Sequence, residues 1–96
     1  MPAYVIVDTL IHDSEGYDEY KQLARPIVER HGGEYLVRGA DIDLVDSELW
    51  SPTRIVLIRF PDHAGARAFL DSDEYAPVKA MRHRYADSTL LVVEGD

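Results

Sequence analysis

Two arginines stand in strand-like stretches with a leucine two positions before each, Leu36 with Arg38 and Leu57 with Arg59. A guanidinium held in an apolar groove clamps a carboxylate or phosphate through its planar fork of donors. Asp8, in the first strand-like stretch, offers the competing use, a structural ion pair with either arginine. Tyr17, Tyr20 and Tyr35 can line a pocket between a sheet and a helix and present hydroxyls to a polar ligand. Core packing also accounts for them, because a buried tyrosine finds a hydrogen-bond partner without any ligand. Asp8, Tyr17, Tyr20, Tyr35, Arg38 and Arg59 are therefore the candidate ligand-binding residues. His31 is the candidate catalytic residue, a general base or oxyanion partner, set against a plain capping role at a helix end.

Other chemistries lack their residues. The chain contains no nucleophile elbow, phosphate-binding glycine loop or paired-histidine metal helix. Asp41-x-Asp43 with Asp46 has neither the glycine nor the terminal glutamate of a calcium loop. His12, His31, His63 and His83 show no ligand-like spacing. No metal and no cofactor are expected. With no cysteine, thiolate catalysis, thiolate metal sites and disulfides drop out, which fits a reducing compartment. Trp50, in a loop, reads as an anchor for that loop or for a dimer.

Eighteen acidic residues against ten basic ones give a net charge of -8, which repels nucleic-acid phosphates and anionic membrane surfaces. Neither nucleic acid nor membrane is an expected partner. No apolar run reaches the ~20 residues that span a bilayer, and the first residues lack a secretory signal pattern, so a cytoplasmic location is expected. At 96 residues the chain has room for one hydrophobic core, hence a single domain over 1–96.

The elements that must position these residues follow from periodicity. Ala3 to Ile11 is β-branched and apolar on both faces, a strand. Asp13 is the expected N-cap of a helix running to about His31, with Glu15 in its first turn. Tyr17, Tyr20, Ala24, Ile27, Val28 and His31 fall on one arc of that helix. Pro26 should kink or break it near Arg25, and Gly32-Gly33 should cap it. Glu34 to Asp46 reads as a second strand with a bulge or bend at Gly39, Ser47 to Pro52 as a loop, and Thr53 to Phe60 as the clearest strand. Pro61-Asp62 opens a helix with Ala66, Phe69 and Leu70 on one face. After a break at Asp71 to Asp73, a second helical stretch carries Val78, Met81 and Tyr85. Thr89 to Val93 is the last strand, and Glu94 to Asp96 form a short tail.

The order βαββαβ folds as a four-stranded antiparallel sheet in the order 4-1-3-2, with helices on one face. Strands apolar on both faces leave the other face needing a cover, and a second copy of the sheet is the simplest one, so a homodimer is expected.

The opening AYVIVD, Tyr17-x-x-Tyr20 with Pro26, HGGEYLVRG, RFPD, Ser72-x-x-Tyr75 and the closing VVEG run over nearly the whole chain, and in them it resembles the family called domain of unknown function 1330. The resemblance implies a ferredoxin-like fold of the dimeric α/β-barrel superfamily, in which two sheets pack face to face, and implies no settled activity. Superfamily relatives include cofactor-independent monooxygenases, muconolactone isomerase-like enzymes and haem-dependent chlorite dismutases, so the scaffold supports small-molecule chemistry between sheet and helices. No histidine here stands at an axial position, so haem is not expected. Two functions follow as expectations. One is binding or transformation of a small anionic or phenolic molecule between sheet and helices. The other is a non-catalytic dimeric module that binds a metabolite or a protein.

Overall fold

A computed structural model describes residues 1–95 of the chain. Strand β1 spans Ala3–Ile11, helix α1 Ser14–Arg30, β2 Glu34–Arg38 and β3 Ile55–Phe60. Helices α2, His63–Leu70, and α3, Ala76–Tyr85, then lead into β4, Ala86–Glu94. The four strands form one open antiparallel sheet in the order β2-β3-β1-β4, which is the expected 4-1-3-2. The second crossover holds two helices, split where Asp71 to Asp73 interrupt the apolar spacing. The expected tail is strand as far as Glu94, and its last residue, Asp96, lies outside the described residues.

Strand alternation sets the layers. On β1, Ala3, Val5, Val7 and Thr9 are buried beneath the helices, while Tyr4, Ile6 and Asp8 on the other face are half-buried. Val56, Ile58 and Phe60 continue the helix-facing side on β3. Against this surface α1 lays Tyr17, Ala24, Ile27 and Val28, the arc expected from its 3.6-residue period. Phe60 stacks on Phe69 of α2 with ring centroids 5.6 Å apart, and Phe69 meets Tyr75 at 4.3 Å. These rings close the core at the α2 end.

Helix α1 starts as its sequence implies, with Asp13 accepting from the Gly16 amide at 3.0 Å. It does not break at Pro26. The proline lies on the exposed side, one turn after the exposed Gln22 whose carbonyl it cannot bond, so water can serve that carbonyl. The helix ends at His31. Gly32, with φ of +84°, donates to Glu29, and Gly33 donates to Val28.

Strand β2 departs from expectation at both its end and its register. It stops at Arg38, because beyond the Gly39 amide, which bonds Ile55 at 2.8 Å, β3 has no further residues to pair. Residues 39–54 are a loop in which Ile42, Leu44, Val45 and Leu49 are exposed despite their apolar alternation. The bulge falls at Leu36 instead of Gly39: Tyr35 pairs with Ile58 and Val37 with Leu57. One extra residue flips everything after it, so Arg38 leaves the face of Leu36 and joins Tyr35 on the helix side.

Candidate functional site

A cavity lies between the helix-facing side of the sheet and α1. Val5, Val7, Val56 and Ile58 form its sheet side, and Ala24 and Val28 its helix side. Four phenols enter it, Tyr17, Tyr20, Tyr35 and Tyr75, together with three cations, Lys21, Arg38 and Arg54. No carboxylate is among its lining residues. The void is about 40 Å³, room for a few waters or a small organic group. Arg38 is its exposed member, which marks the opening, and Tyr20, Lys21, Tyr35, Arg54 and Leu90 are half-buried.

The phenols are arranged as hydrogen-bonding groups. Tyr20 and Tyr75 share a bond of 2.8 Å between their hydroxyls, and Tyr75 also receives the Arg82 Nε at 3.4 Å. Arg82 is itself buried and donates to Ser88 Oγ. Burial, with Tyr75 beside it, raises the Tyr20 phenol far above its ordinary value, so it stays protonated. Burial pushes Tyr35 up to about 12, although the Arg38 guanidinium 4.6 Å from its ring centre pulls the other way. Tyr20 and Tyr35 therefore stand in the site as neutral hydrogen-bonding phenols beside its cations.

Those cations differ in how they are occupied. Lys21 pairs with Asp18 at 3.1 Å, while neither Arg38 nor Arg54 has a carboxylate within ion-pair distance among the described residues. Arg54 lies over the ring of Tyr17, 5.4 Å from its centre, and its Nη1 is buried without a hydrogen-bond partner.

Of the residues expected from sequence, Tyr17, Tyr20, Tyr35 and Arg38 come together here. Arg59 lies on the other face of the sheet, exposed, across from Tyr4 and Glu34. His31 sits at the α1 C-cap, outside the cavity lining, with Nδ1 donating to the Ile27 carbonyl at 2.9 Å and 3.7 Å from Glu74.

Asp8 forms no ion pair with either arginine. Its carboxylate accepts the Thr53 and Arg54 amides at 2.8 and 2.9 Å and the Trp50 indole at 2.9 Å, tying down the loop before β3. Burial alone would raise its pKa, but these donors together outweigh it and hold the carboxyl below its usual value. Trp50 is thus a loop anchor.

Sequence reading missed Arg54, Tyr75 and Arg82. For Arg54 the signal was available, since it alternates with Val56, Ile58 and Phe60 on the apolar face. Arg82 follows Val78 by four residues on the inner stripe of α3, but nothing in its residue type announces burial. Among the described residues, no group of three or more His, Cys, Asp or Glu is placed to hold a metal ion.

No curated protein matches the chain. Solved structures share its fold at low identity. A protein of unknown function from Rhodopseudomonas palustris is 18% identical with a TM-score of 0.76, covering 98% of this chain and 82% of that one. A dimeric ferredoxin-like protein of unknown function from Jannaschia sp. CCS1 is 15% identical with a TM-score of 0.69, covering 99% and 100%. SnoaB, a cofactor-independent oxygenase from Streptomyces nogalater, is 13% identical with a TM-score of 0.67, covering 99% and 93%. At residues 2–96 the chain matches, and so belongs to, the family described as domain of unknown function (DUF1330).

Proposed function

We propose that the chain binds a small anionic or phenolic molecule in the cavity between the sheet and α1, with Arg38 meeting its charge at the rim. The observation that carries this reading is the lining: guanidinium groups and neutral phenols converge over apolar walls with no carboxylate among them. Unpaired cations in apolar surroundings favour an anion, and protonated phenols supply further donors to it. The small void sets the size. A ligand of more than a few heavy atoms must displace Lys21 and Arg38, the flexible side chains of the rim. His31, at the helix cap, has no part in this reading. The same fold carries a cofactor-independent oxygenase in Streptomyces nogalater, so turnover of the bound molecule is the extension to assay once a ligand is found.

The test is a thermal-shift screen of wild type and Arg38→Ala against small carboxylates, phosphates and phenols. A ligand at a hundred times its Kd adds about 2.7 kcal/mol, which for a domain of this size raises Tm by roughly 10 °C or more. The expected result is such a rise in wild type and a much smaller one in Arg38→Ala. A panel that leaves wild type unmoved contradicts the reading.

The outer face of the sheet, with Ile6, Leu57, Leu91 and Val93, supports a homodimer in which a second copy covers it, as does the dimeric state of the Jannaschia neighbour. Equilibrium sedimentation should return the mass of two chains, and a monomer at micromolar concentration would remove this part of the proposal.

A further inference from the structure

Arg54 is placed unlike the other cations of the cavity. It sits just ahead of β3, in step with Val56 and Ile58, so its side chain enters from the sheet side. Gly39 lies directly against it. A Cβ at Gly39 would stand 2.6 Å from the Arg54 Nε, and the glycine's φ of +77° is one that other residues rarely adopt. The loop therefore closes over the guanidinium only because residue 39 has no side chain. Asp8 holds the Arg54 backbone through its amide, which fixes where the side chain starts.

So positioned, the guanidinium leaves Nη1 buried without a partner. A buried donor without a partner is costly and rare in a folded core, and an unpartnered guanidinium nitrogen in the lining of a cavity marks a place where an acceptor fits.

We propose that Arg54 is the principal anion-binding residue of the cavity, its Nη1 donating to the single oxyanion of a small phenolate or carboxylate whose apolar body lies against Tyr17, Val7 and Val56. This rests on the reading of the cavity as an anion or phenol site. It places the ligand's oxyanion at Arg54, against Gly39, with Arg38 as the second cation at the rim. Selectivity follows: a ligand needs a terminal oxyanion on a narrow apolar body that fits between Tyr17, Val7 and Val56.

The probe is 4-nitrophenol, whose ionised form is yellow, titrated into wild type, Arg54→Met, Arg54→Lys and Arg38→Ala, with unsubstituted phenol as the neutral counterpart. Wild type should bind the ionised probe in preference to the neutral form and lower its apparent pKa. Arg54→Met should weaken binding of 4-nitrophenolate about tenfold or more, the loss of a charge-assisted hydrogen bond, while phenol binds as before. Arg54→Lys, which keeps the charge and serves if the methionine variant fails to fold, should recover part of the loss. In the free protein, Arg54→Met should melt no lower than wild type, because it removes an unpartnered buried donor. A lower Tm with unchanged probe affinity would make Arg54 structural and overturn the inference. So would loss of binding in Arg38→Ala alone, though the cavity reading would stand. If wild type binds neither form, both fall together.

Discussion

Replacing Gly33 by alanine is expected to cost about 3 kcal/mol of stability, a large share of the roughly 5–10 kcal/mol available to a domain of this size. A Cβ at this position would stand 2.5 Å from Val28 Cγ1 and 2.8 Å from Phe60 Cζ. Neither neighbour can give way, since Val28 is 1% exposed and Phe60 is not exposed at all. Phe60 is in turn stacked on Phe69, so moving its ring disturbs the packing that leads to Tyr75 and the cavity. The chain needs a residue without a side chain here to turn from α1 into β2 at close range. A fall in Tm of roughly 12–24 °C, with the urea midpoint moving in parallel, is the expected reading. A variant that melts within a few degrees of wild type would show that the helix can shift away from the sheet, and would contradict this packing.

Asp8→Ala is expected to lose about 2 kcal/mol and to free the loop before β3, because it strips a charge-assisted acceptor from two amides and the Trp50 indole at once. The same carboxylate gives the loop a defined pH dependence. Its folded pKa is held below the ordinary aspartate value, so the stabilisation is fully present above the unfolded pKa and is lost as pH falls through the folded one. Trp50 is the chain's single tryptophan, and its fluorescence reports the loop directly. In wild type the emission should stay constant down through the ordinary carboxylate range and change only below it. In Asp8→Ala the released signal should already be present at neutral pH. A wild-type transition centred above the ordinary aspartate value would contradict the anchoring role.

Local periodicity was enough for the element order and the sheet. The period-two alternation of Ala3 to Ile11, the 3.6-residue arc of α1 and the Asp13 cap each depend on neighbouring residues, and each is found where the sequence places it. What needed the third dimension was pairing. Alternation after Arg38 looks like strand in Ile42 and Leu44, but no partner strand reaches them, and their side chains remain exposed. The Leu36 bulge was invisible for the same reason. It exists only against β3, and it alone decides that Arg38 faces the cavity. Tyr17, Tyr20 and Tyr35 were legible because they share the apolar faces of α1 and β2. Tyr75 and Arg82 were not, since their hydrogen-bonded chain to Tyr20 joins elements far apart in sequence. Asp8 was expected to bind a ligand or to pair with an arginine, and its partners are instead a returning loop, because the Thr53 and Arg54 amides and the Trp50 indole reach it only in the folded chain.

The central claim is that a small anion enters between the sheet and α1, and methyl NMR locates it directly. In a titration of 4-nitrophenolate into protein labelled at its valine, leucine, isoleucine and alanine methyls, saturable shifts should concentrate at Val5, Val7, Ala24, Val56, Ile58 and Leu90, which line the cavity. Saturable shifts confined to Ile6, Leu57 and Leu91 on the outer face, or no saturable shifts at all, would contradict the account.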